Sequence, residues 1–202
     1  MKSVRPYAMD KRAAAAAATG ERILDAATVL FARLPYAQLT LAAVAHAAGV
    51  TPQTVIRRFG DKEGLVAACT AQVMRRILAQ RDAAPAGDLP GAVDNLVAHY
   101  EEAGTIALRL LAEESTSPTL GELAAQGRAY HRAWCERVFA PALQPLDGVL
   151  RTRRLAQLVA VCDVQTWALL RRDAGLSRDE VTVALTELLT PLLDPRRSRR
   201  LP

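Results

Sequence analysis

The sequence of 202 residues has few of the features that mark several large protein classes. Aromatic residues make up only 4% of it, and its three cysteines are widely spaced, with no CxxC pair among them. Cysteines in this pattern predict buried, reduced thiols and disfavour a disulfide framework. No apolar run approaches the roughly 18 residues that a membrane span needs. We therefore expect a cytoplasmic protein that does not contact a membrane.

Motifs for catalysis and metal binding are also missing. The sequence contains no GxSxG, no glycine-rich phosphate loop and no HExxH. Its three histidines lie far apart, and no two of them are separated by four residues, which disfavours a metal site. We find no strand pattern and no internal repeat. We therefore expect that the protein is not an enzyme and binds no cofactor or metal, and a small helical enzyme remains the least favoured alternative.

The most informative stretch runs from residue 40 to residue 62 and reads TLAAVAHAAGVTPQTVIRRFGDK. Apolar residues recur at helical spacing after Thr40, whose hydroxyl can cap the start of a helix. Gly49 can adopt the positive φ that ends a helix, and Thr51 followed by Pro52 can begin the next one. Two short helices joined by a tight turn that contains glycine predict a helix-turn-helix, which reads DNA.

Longer helices are predicted on both sides of this stretch. Apolar residues form one stripe from residue 19 to residue 34, and Pro35 ends that pattern. A third helix, capped by Asp61, continues an apolar stripe for about five turns, with Arg81 on another face of it. The segment 85–90, rich in proline and glycine, then marks the end of this long connecting helix.

Charge is distributed unevenly along the chain. Residues 1–84 carry 12 Lys and Arg against 6 Asp and Glu, whereas residues 85–202 carry 14 against 15. A basic N-terminal half favours approach to a phosphate backbone and releases counterions on binding. The residues before 19 are interpreted as an irregular terminus or as a basic arm over DNA, and the basic tail 196–202 is expected to be disordered.

The second half of the chain is predicted to be wholly helical. One helix, or two with a bend near Gly104, covers residues 93–111. A further helix extends to about residue 139, and Thr119 and Glu122 at its start have the spacing of a capping box. Together these patterns predict a helical body after the DNA-reading half.

The last two predicted helices carry the strongest apolar signal. The helix over residues 148–174 is apolar nearly all round its middle, so it must be covered on two sides. Ser177 and Glu180 repeat the spacing of a capping box at the start of the final helix. The whole chain is therefore predicted to be all-α.

Several segments resemble the TetR/AcrR family of transcriptional regulators. The likeness is most specific in ERILDAATVLFAR at 21–33, LTLAAVAHAAGVT at 39–51 and TVIRRFGDKEGL at 54–65. In the second half, LLAEE at 110–114 and WALLRRDAGLS at 167–177 are similar to many members. The resemblance implies an N-terminal three-helix DNA-binding domain, joined by a long helix to a ligand-binding and dimerisation bundle, with about nine helices in all.

The resemblance also implies a domain plan and partners. We expect an N-terminal arm and helix-turn-helix domain at 1–65, an effector-binding and dimerisation domain at 66–195, and the basic tail at 196–202. A homodimer would pair through the helices near 148–174 and 177–193. The expected function is that of a repressor, which releases a palindromic DNA operator when an unidentified small-molecule effector binds.

The DNA-contacting surface is carried over from the same resemblance. Val55 and Phe59 lie four residues apart and are expected to face the core, which turns the opposite helix face toward the major groove. Two residues depart from the family pattern, because Ile56 replaces a usual tyrosine and Pro35 replaces a usual glycine. The residues expected to contact DNA, the first and last of them at phosphates, are Thr40, Thr51, Pro52, Gln53, Ile56, Arg57, Arg58 and Lys62.

Polar and aromatic residues of the helical body are candidates for an effector pocket, because such a pocket needs a few polar groups among apolar walls. Each of them alone is more simply explained as an ordinary core or surface residue. A ligand-independent architectural DNA-binding protein is the main alternative function, but it would not need so large a body. The pocket candidates are His99, Tyr100, Arg109, Glu113, His131, Trp134, Cys162 and Trp167.

Overall fold

The computed structural model describes residues 5–194, except for the side chains of residues 5–10 and 12. The described residues contain no strand, which confirms the all-α class. The chain divides into two compact units, Met1–Val73 and Met74–Pro202. No described helix is both long and apolar enough to cross a membrane. The basic tail at 196–202 lies outside the described residues, and the domain limits of 1–65 and 66–195 stay a prediction.

The first unit is built from three helices and the start of a fourth. Its elements are α1 (Arg5–Arg33), a 3₁₀ turn (Tyr36–Gln38), α2 (Leu41–Ala48), α3 (Pro52–Phe59) and the first residues of α4 (Lys62–Arg81).

Helix α1 begins much earlier than the apolar stripe predicted. The expected start at residue 19 is wrong, because the helix already begins at Arg5. An irregular terminus is therefore also wrong for residues 5–18, whereas contact of this basic segment with DNA stays a prediction. The run Ala13–Ala18 explains the difference, since alanine has the highest helix propensity and extends a helix without any buried face. The predicted stripe itself is confirmed, with Ile23 and Ala27 buried.

The helix-turn-helix forms through the caps that the sequence predicts. The Thr40 hydroxyl accepts a hydrogen bond from the Ala43 N–H at 3.1 Å, and the Thr51 hydroxyl accepts one from the Thr54 N–H at 3.3 Å. Gly49 between the two helices has a φ of 65°, the left-handed conformation that glycine adopts without strain. These bonds satisfy backbone donors at both helix starts and fix the turn between α2 and α3.

The turn that contains Pro35 has its own support. It forms the short 3₁₀ turn at Tyr36–Gln38, and the Lys62 ammonium donates a hydrogen bond to the Tyr36 carbonyl at 3.0 Å. The same ammonium lies 4.1 Å from the centroid of the Tyr36 ring. As predicted, Asp61 caps α4 by accepting a hydrogen bond from the Gly64 N–H at 2.8 Å. Asp61 therefore caps the start of α4, and Lys62 connects it to the 3₁₀ turn.

The second unit is a bundle of helices around one apolar core. It contains the end of α4 and then α5 (Leu89–Ala112), α6 (Pro118–Val138), α7 (Ala140–Leu143), α8 (Gly148–Val161), α9 (Val164–Ala168), a π turn (Leu169–Asp173) and α10 (Arg178–Leu193). Its most deeply buried residues include Leu96, Trp134, Leu158 and Leu185.

Helix α5 is continuous where a bend was considered. It passes through Gly104 without interruption, and the Trp167 ring packs so closely there that a β-carbon at residue 104 would lie 2.6 Å from it. Glycine is therefore needed for close packing of α5 on Trp167 rather than for a bend.

Two predicted features of the bundle are wrong. The cap of α6 is Ser117 rather than Thr119, and its hydroxyl accepts a hydrogen bond from the Leu120 N–H at 3.3 Å. Pro118 explains the shift, because it restricts the preceding residue to extended backbone and is well suited to the first helical turn. The single helix predicted at 148–174 is in fact interrupted, since Asp163 caps a new helix by accepting from the Gln165 N–H at 2.8 Å.

The final helix begins as predicted. The Glu180 N–H donates to the Ser177 hydroxyl at 3.3 Å, and the Ser177 N–H donates to the Glu180 carboxylate at 2.8 Å. This reciprocal pair is the predicted capping box. The three cysteines are also as predicted, because each is buried and none forms a disulfide.

Candidate functional site

Helix α3 presents most of the residues that were predicted to contact DNA. Val55 is fully buried and fixes the orientation of the helix. The predicted residues on the helix and at its cap are all exposed, including Ile56, whose side chain is apolar and yet 43% exposed. The exposed set is Thr51, Pro52, Gln53, Ile56, Arg57 and Arg58.

The two threonine caps have hydroxyl groups that can also contact a phosphate. Thr40 and Thr51 each use a hydroxyl lone pair to accept a backbone N–H. A hydroxyl can still donate its own hydrogen, although the Thr51 hydroxyl also lies 2.9 Å from that of Thr54. The N-termini of α2 and α3 also carry the positive end of each helix dipole, which attracts an anion.

Two of the predicted cations are held by contacts inside the first unit. Lys62 spends one of its three donors on the Tyr36 carbonyl and keeps two for a phosphate. The Arg58 guanidinium packs against Gly20 of α1, where an added β-carbon would lie 2.6–2.8 Å from its atoms. Gly20 was not identified from the sequence. A glycine inside a helical pattern was the available signal, because it often marks close packing.

The second unit brings most of the predicted pocket residues together in one buried cluster. The rings of His99 and Tyr100 lie 4.8 Å apart, and those of Tyr100 and Trp167 lie 5.9 Å apart. The Tyr100 hydroxyl donates to the Cys162 carbonyl at 2.9 Å, which ties α5 to the end of α8. His131 is also buried, and its Nε2 lies 3.1 Å from the Val159 carbonyl.

Arg81 completes this cluster and was not among the predicted pocket residues. It was assigned to another face of the long helix, yet only 2% of it is exposed. Its guanidinium carbon lies 4.2 Å from the Trp134 ring centroid, and its Nη2 lies 3.5 Å from Nδ1 of His131. The Trp134 indole N–H donates to the Arg81 carbonyl at 2.9 Å. We define the buried polar cluster as Arg81, His99, Tyr100, His131, Trp134, Cys135, Cys162 and Trp167.

Arg109 and Glu113 are the two predicted pocket residues that are not in the buried polar cluster. They pair with each other along α5, with 3.7 Å between Arg109 Nη1 and Glu113 Oε1. A separate cavity of about 220 Å³ is lined by Leu89, Phe139, Pro141 and their neighbours and includes none of the predicted pocket residues.

Burial and mutual contacts shift several pKa values in the buried polar cluster. Burial, together with the charge of Arg81, lowers the pKa of His99 to about 3, so His99 is neutral at pH 7. A hydrogen bond from Cys162 lowers the pKa of Cys135 to about 6 and raises that of Cys162. Although burial opposes it, the contact with Cys135 raises the pKa of His131. Within residues 5–194, no group of three or more His, Cys, Asp or Glu side chains could hold a metal ion.

Comparisons with known proteins give a family match in the first unit and solved structures with a similar fold. Residues 23–69 match the family model for bacterial regulatory proteins of the tetR family. A transcriptional regulator from Rhodococcus sp. Rha1 has 20% identity, with 86% of this chain and 95% of that chain covered at a TM-score of 0.69. A Rhodococcus sp. protein assigned to the TetR family has 19% identity, with coverages of 87% and 99% and a TM-score of 0.63. No curated protein matches the chain.

A third solved structure is that of NalD, the secondary repressor of the MexAB-OprM multidrug efflux pump in Pseudomonas aeruginosa. It has 20% identity, with 89% of this chain and 97% of NalD covered at a TM-score of 0.60. The helix-turn-helix, α2 and α3, lies within the residues that match the tetR family model. The family match covers residues 23–69, and the all-α fold is shared with these solved regulators over most of the chain.

Proposed function

We propose that this chain is a cytoplasmic, homodimeric repressor that releases a palindromic operator when a small molecule binds its second unit. The observation that carries the proposal is the exposed polar face of α3, which is held in place by buried Val55. NalD, which shares the fold, is a repressor, and this favours repression over activation.

Recognition of the DNA base sequence is assigned mainly to two side chains of α3. Gln53 can form two hydrogen bonds with adenine, and Arg57 can do the same with guanine. Ile56 offers an apolar contact to a thymine methyl group. Thr40 and Lys62 would contact phosphates, which sets the register on DNA without choosing the sequence. Thr51, Pro52 and Arg58 complete the predicted surface.

The dimer interface is assigned to α8–α10, over residues 148–174 and 177–193. Large apolar side chains are exposed on these helices, with Val149 80% and Val183 56% exposed, and Leu188 nearly half exposed. Exposed apolar residues on neighbouring helices favour a contact with a second copy, in which the same surface faces itself. Two α3 helices would then enter successive major grooves about 34–36 Å apart.

The effector is assigned to the buried polar cluster. It contains six of the eight predicted pocket residues, and Arg109 and Glu113 stay a separate prediction. Helix α4 begins at Lys62 in the first unit and ends at Arg81 in the second. A ligand at the Arg81 end would therefore act on the helix that also carries Lys62. Release requires that the ligand binds the DNA-free state more tightly than the DNA-bound state.

DNA reading is tested by selecting bound sequences from random duplex DNA with the purified protein. We expect a palindrome whose affinity falls with rising salt, because phosphate contacts release counterions. Gln53→Ala and Arg57→Ala should each reduce discrimination at one base pair by about 1–3 kcal/mol. Arg128→Ala, a change at an exposed arginine of the second unit, is the control. Unchanged selectivity in both α3 variants would contradict the docking.

The dimer is tested by sedimentation of the double variant Val183→Glu and Leu188→Glu. Two charges in the proposed interface should produce a monomer with greatly reduced operator affinity. Val29→Glu is the matched control, since Val29 is exposed to a similar degree on α1. A dimer that persists in the double variant would exclude this interface.

A further inference from the structure

Arg81 is buried without a carboxylate partner. Only 2% of the residue is exposed, and among the described residues no carboxylate oxygen lies within 4.0 Å of its guanidinium. Its Nε has no hydrogen-bond partner, and Nη2 reaches only Nδ1 of His131, at the long distance of 3.5 Å. A buried charge without a counterion is unfavourable, so this arginine is held in place at a cost to stability.

Two acidic side chains that contact residues around the cluster are engaged by other partners. Asp82 accepts a hydrogen bond from the Tyr130 hydroxyl at 3.0 Å and lies 3.6 Å from the Arg137 guanidinium. Glu101 accepts from Arg171 at 2.9 Å. These carboxylates therefore leave the positive charge of Arg81 without a direct partner.

The remaining members of the buried polar cluster offer Arg81 no carboxylate. His99 is neutral at pH 7, because burial lowers its pKa to about 3. Burial also raises the pKa of Tyr100, which keeps its hydroxyl protonated. Cys135 is the one acidic group of the cluster whose pKa falls, to about 6, mainly through its contact with Cys162 and less through His131 and Arg81.

Aromatic rings enclose the guanidinium. Its central carbon lies 4.2 Å from the Trp134 ring centroid, 5.8 Å from that of Tyr130 and 5.9 Å from that of Tyr100. Aromatic faces attract a cation, but they do not supply the two acceptors that a guanidinium fork can bind. The surroundings thus combine one cation that can recognise a carboxylate with apolar walls that suit a hydrocarbon body.

We propose that Arg81 binds the carboxylate of the effector, and that the effector is a monocarboxylate with an aromatic or alkyl body. The carboxylate would replace His131 at Nη2 and satisfy the free Nε, which gives the paired hydrogen bonds typical of arginine and carboxylate. The regulatory part of this inference rests on the proposed function, whereas the binding part does not need DNA.

The test compares carboxylates with amides of the same skeleton. Benzoate with benzamide, and octanoate with octanamide, are titrated into the full-length protein at pH 7, followed by tryptophan fluorescence and calorimetry. Wild-type protein should bind at least one carboxylate at least tenfold more tightly than its amide. Equal binding of acid and amide in both pairs, including no binding of either, would overturn the proposal without any variant.

Variants then assign the effect to Arg81. Arg81→Gln should abolish the preference for the carboxylate, and Arg81→Lys, which keeps the charge but not the fork, should retain part of it. Arg128→Gln, at an arginine paired with Glu114 on the surface, should bind like wild type. Circular dichroism checks that each variant is folded. Carboxylate binding that survives in folded Arg81→Gln or Arg81→Lys at the wild-type level would overturn the assignment.

An operator assay separates the two proposals. A carboxylate that binds through Arg81 and weakens operator binding supports both of them. If it binds through Arg81 but leaves operator affinity unchanged, the ligand site stands and effector-controlled release fails. If operator binding is selective and yet no carboxylate is preferred over its amide, the DNA-reading part stands and the Arg81 site fails.

Discussion

The two units hold their candidate functional residues in opposite environments. In the first unit, Gln53, Ile56 and Arg57 are exposed on one short helix, and buried Val55 only orients that helix. In the second unit, the candidates are buried and contact one another from helices far apart in sequence, as Arg81 and Trp134 do. A surface site can therefore change without affecting the fold, whereas a buried site is also part of the core.

The largest expected effect tests this contrast directly. Leu158→Ala removes a fully buried side chain of the second unit and should lower the free energy of unfolding by about 2–5 kcal/mol. Gln53→Ala, on the exposed face of α3, should change it by no more than about 0.5 kcal/mol. Chemical denaturation followed by circular dichroism measures both. Similar decreases in the free energy of unfolding of the two variants would contradict the contrast between an exposed site and a buried one.

The same contrast explains what could be predicted from the sequence. The caps at Thr40 and Thr51 involve hydrogen bonds between residues three apart, so their chemistry is visible in a short stretch. Arg81 is buried by Trp134, which lies 53 residues further along the chain, and no local pattern around Arg81 signals that contact. The caps of the first unit were thus predictable, whereas the burial of Arg81 in the second was not.

The predicted helix boundaries were wrong where two local signals favoured different boundaries. The apolar residues on both sides of Asp163 favoured one long helix, but the carboxylate caps the N–H of Gln165 and begins a new one. Likewise, the alanine run before residue 19 has high propensity without any apolar face, and α1 extends through it. Periodicity identifies a buried face, and it says little about where a helix begins or ends.

A smaller effect is expected from pH, and it should come from the second unit. The pKa of His99 is lowered from 6.5 to about 3 on folding, mainly through burial. The unfolded chain therefore binds a proton between pH 6.5 and 3 that the folded chain does not, and stability falls as pH falls through this window. At pH 5 the free energy of unfolding should be about 2 kcal/mol lower than at pH 6.5, because each pH unit below 6.5 contributes about 1.36 kcal/mol.

The control for this prediction compares histidines in the two units. His99→Gln should flatten the fall in unfolding free energy between pH 6.5 and 5, measured by denaturation at each pH. His46→Gln changes an exposed histidine of the first unit and should leave the slope as in wild type. An unchanged slope in His99→Gln would mean that another group causes the acid sensitivity.

Helix caps provide a matched pair with equal effects on stability. Thr51→Ala in the first unit and Ser117→Ala in the second each remove a hydroxyl that accepts a backbone N–H. Each should lower the free energy of unfolding by about 1 kcal/mol. Only Thr51→Ala should also weaken operator binding, measured by fluorescence anisotropy under conditions in which both variants are folded. Equal weakening by the two variants would show that stability, rather than a contact of Thr51, controls DNA affinity.

The smallest effect on stability is expected at Ile56, where the family usually has tyrosine. Ile56 is 43% exposed, so Ile56→Tyr and Ile56→Ala should each change the free energy of unfolding by no more than about 0.5 kcal/mol. The tyrosine hydroxyl adds a phosphate donor, which should raise affinity for all sequences alike, because phosphate contacts carry no sequence information. Alanine should instead reduce discrimination at one A·T pair, because it shortens the apolar contact with a thymine methyl group. Selection from random duplex DNA with all three proteins decides between these roles, and an unchanged preference in Ile56→Ala would place Ile56 outside the base contacts.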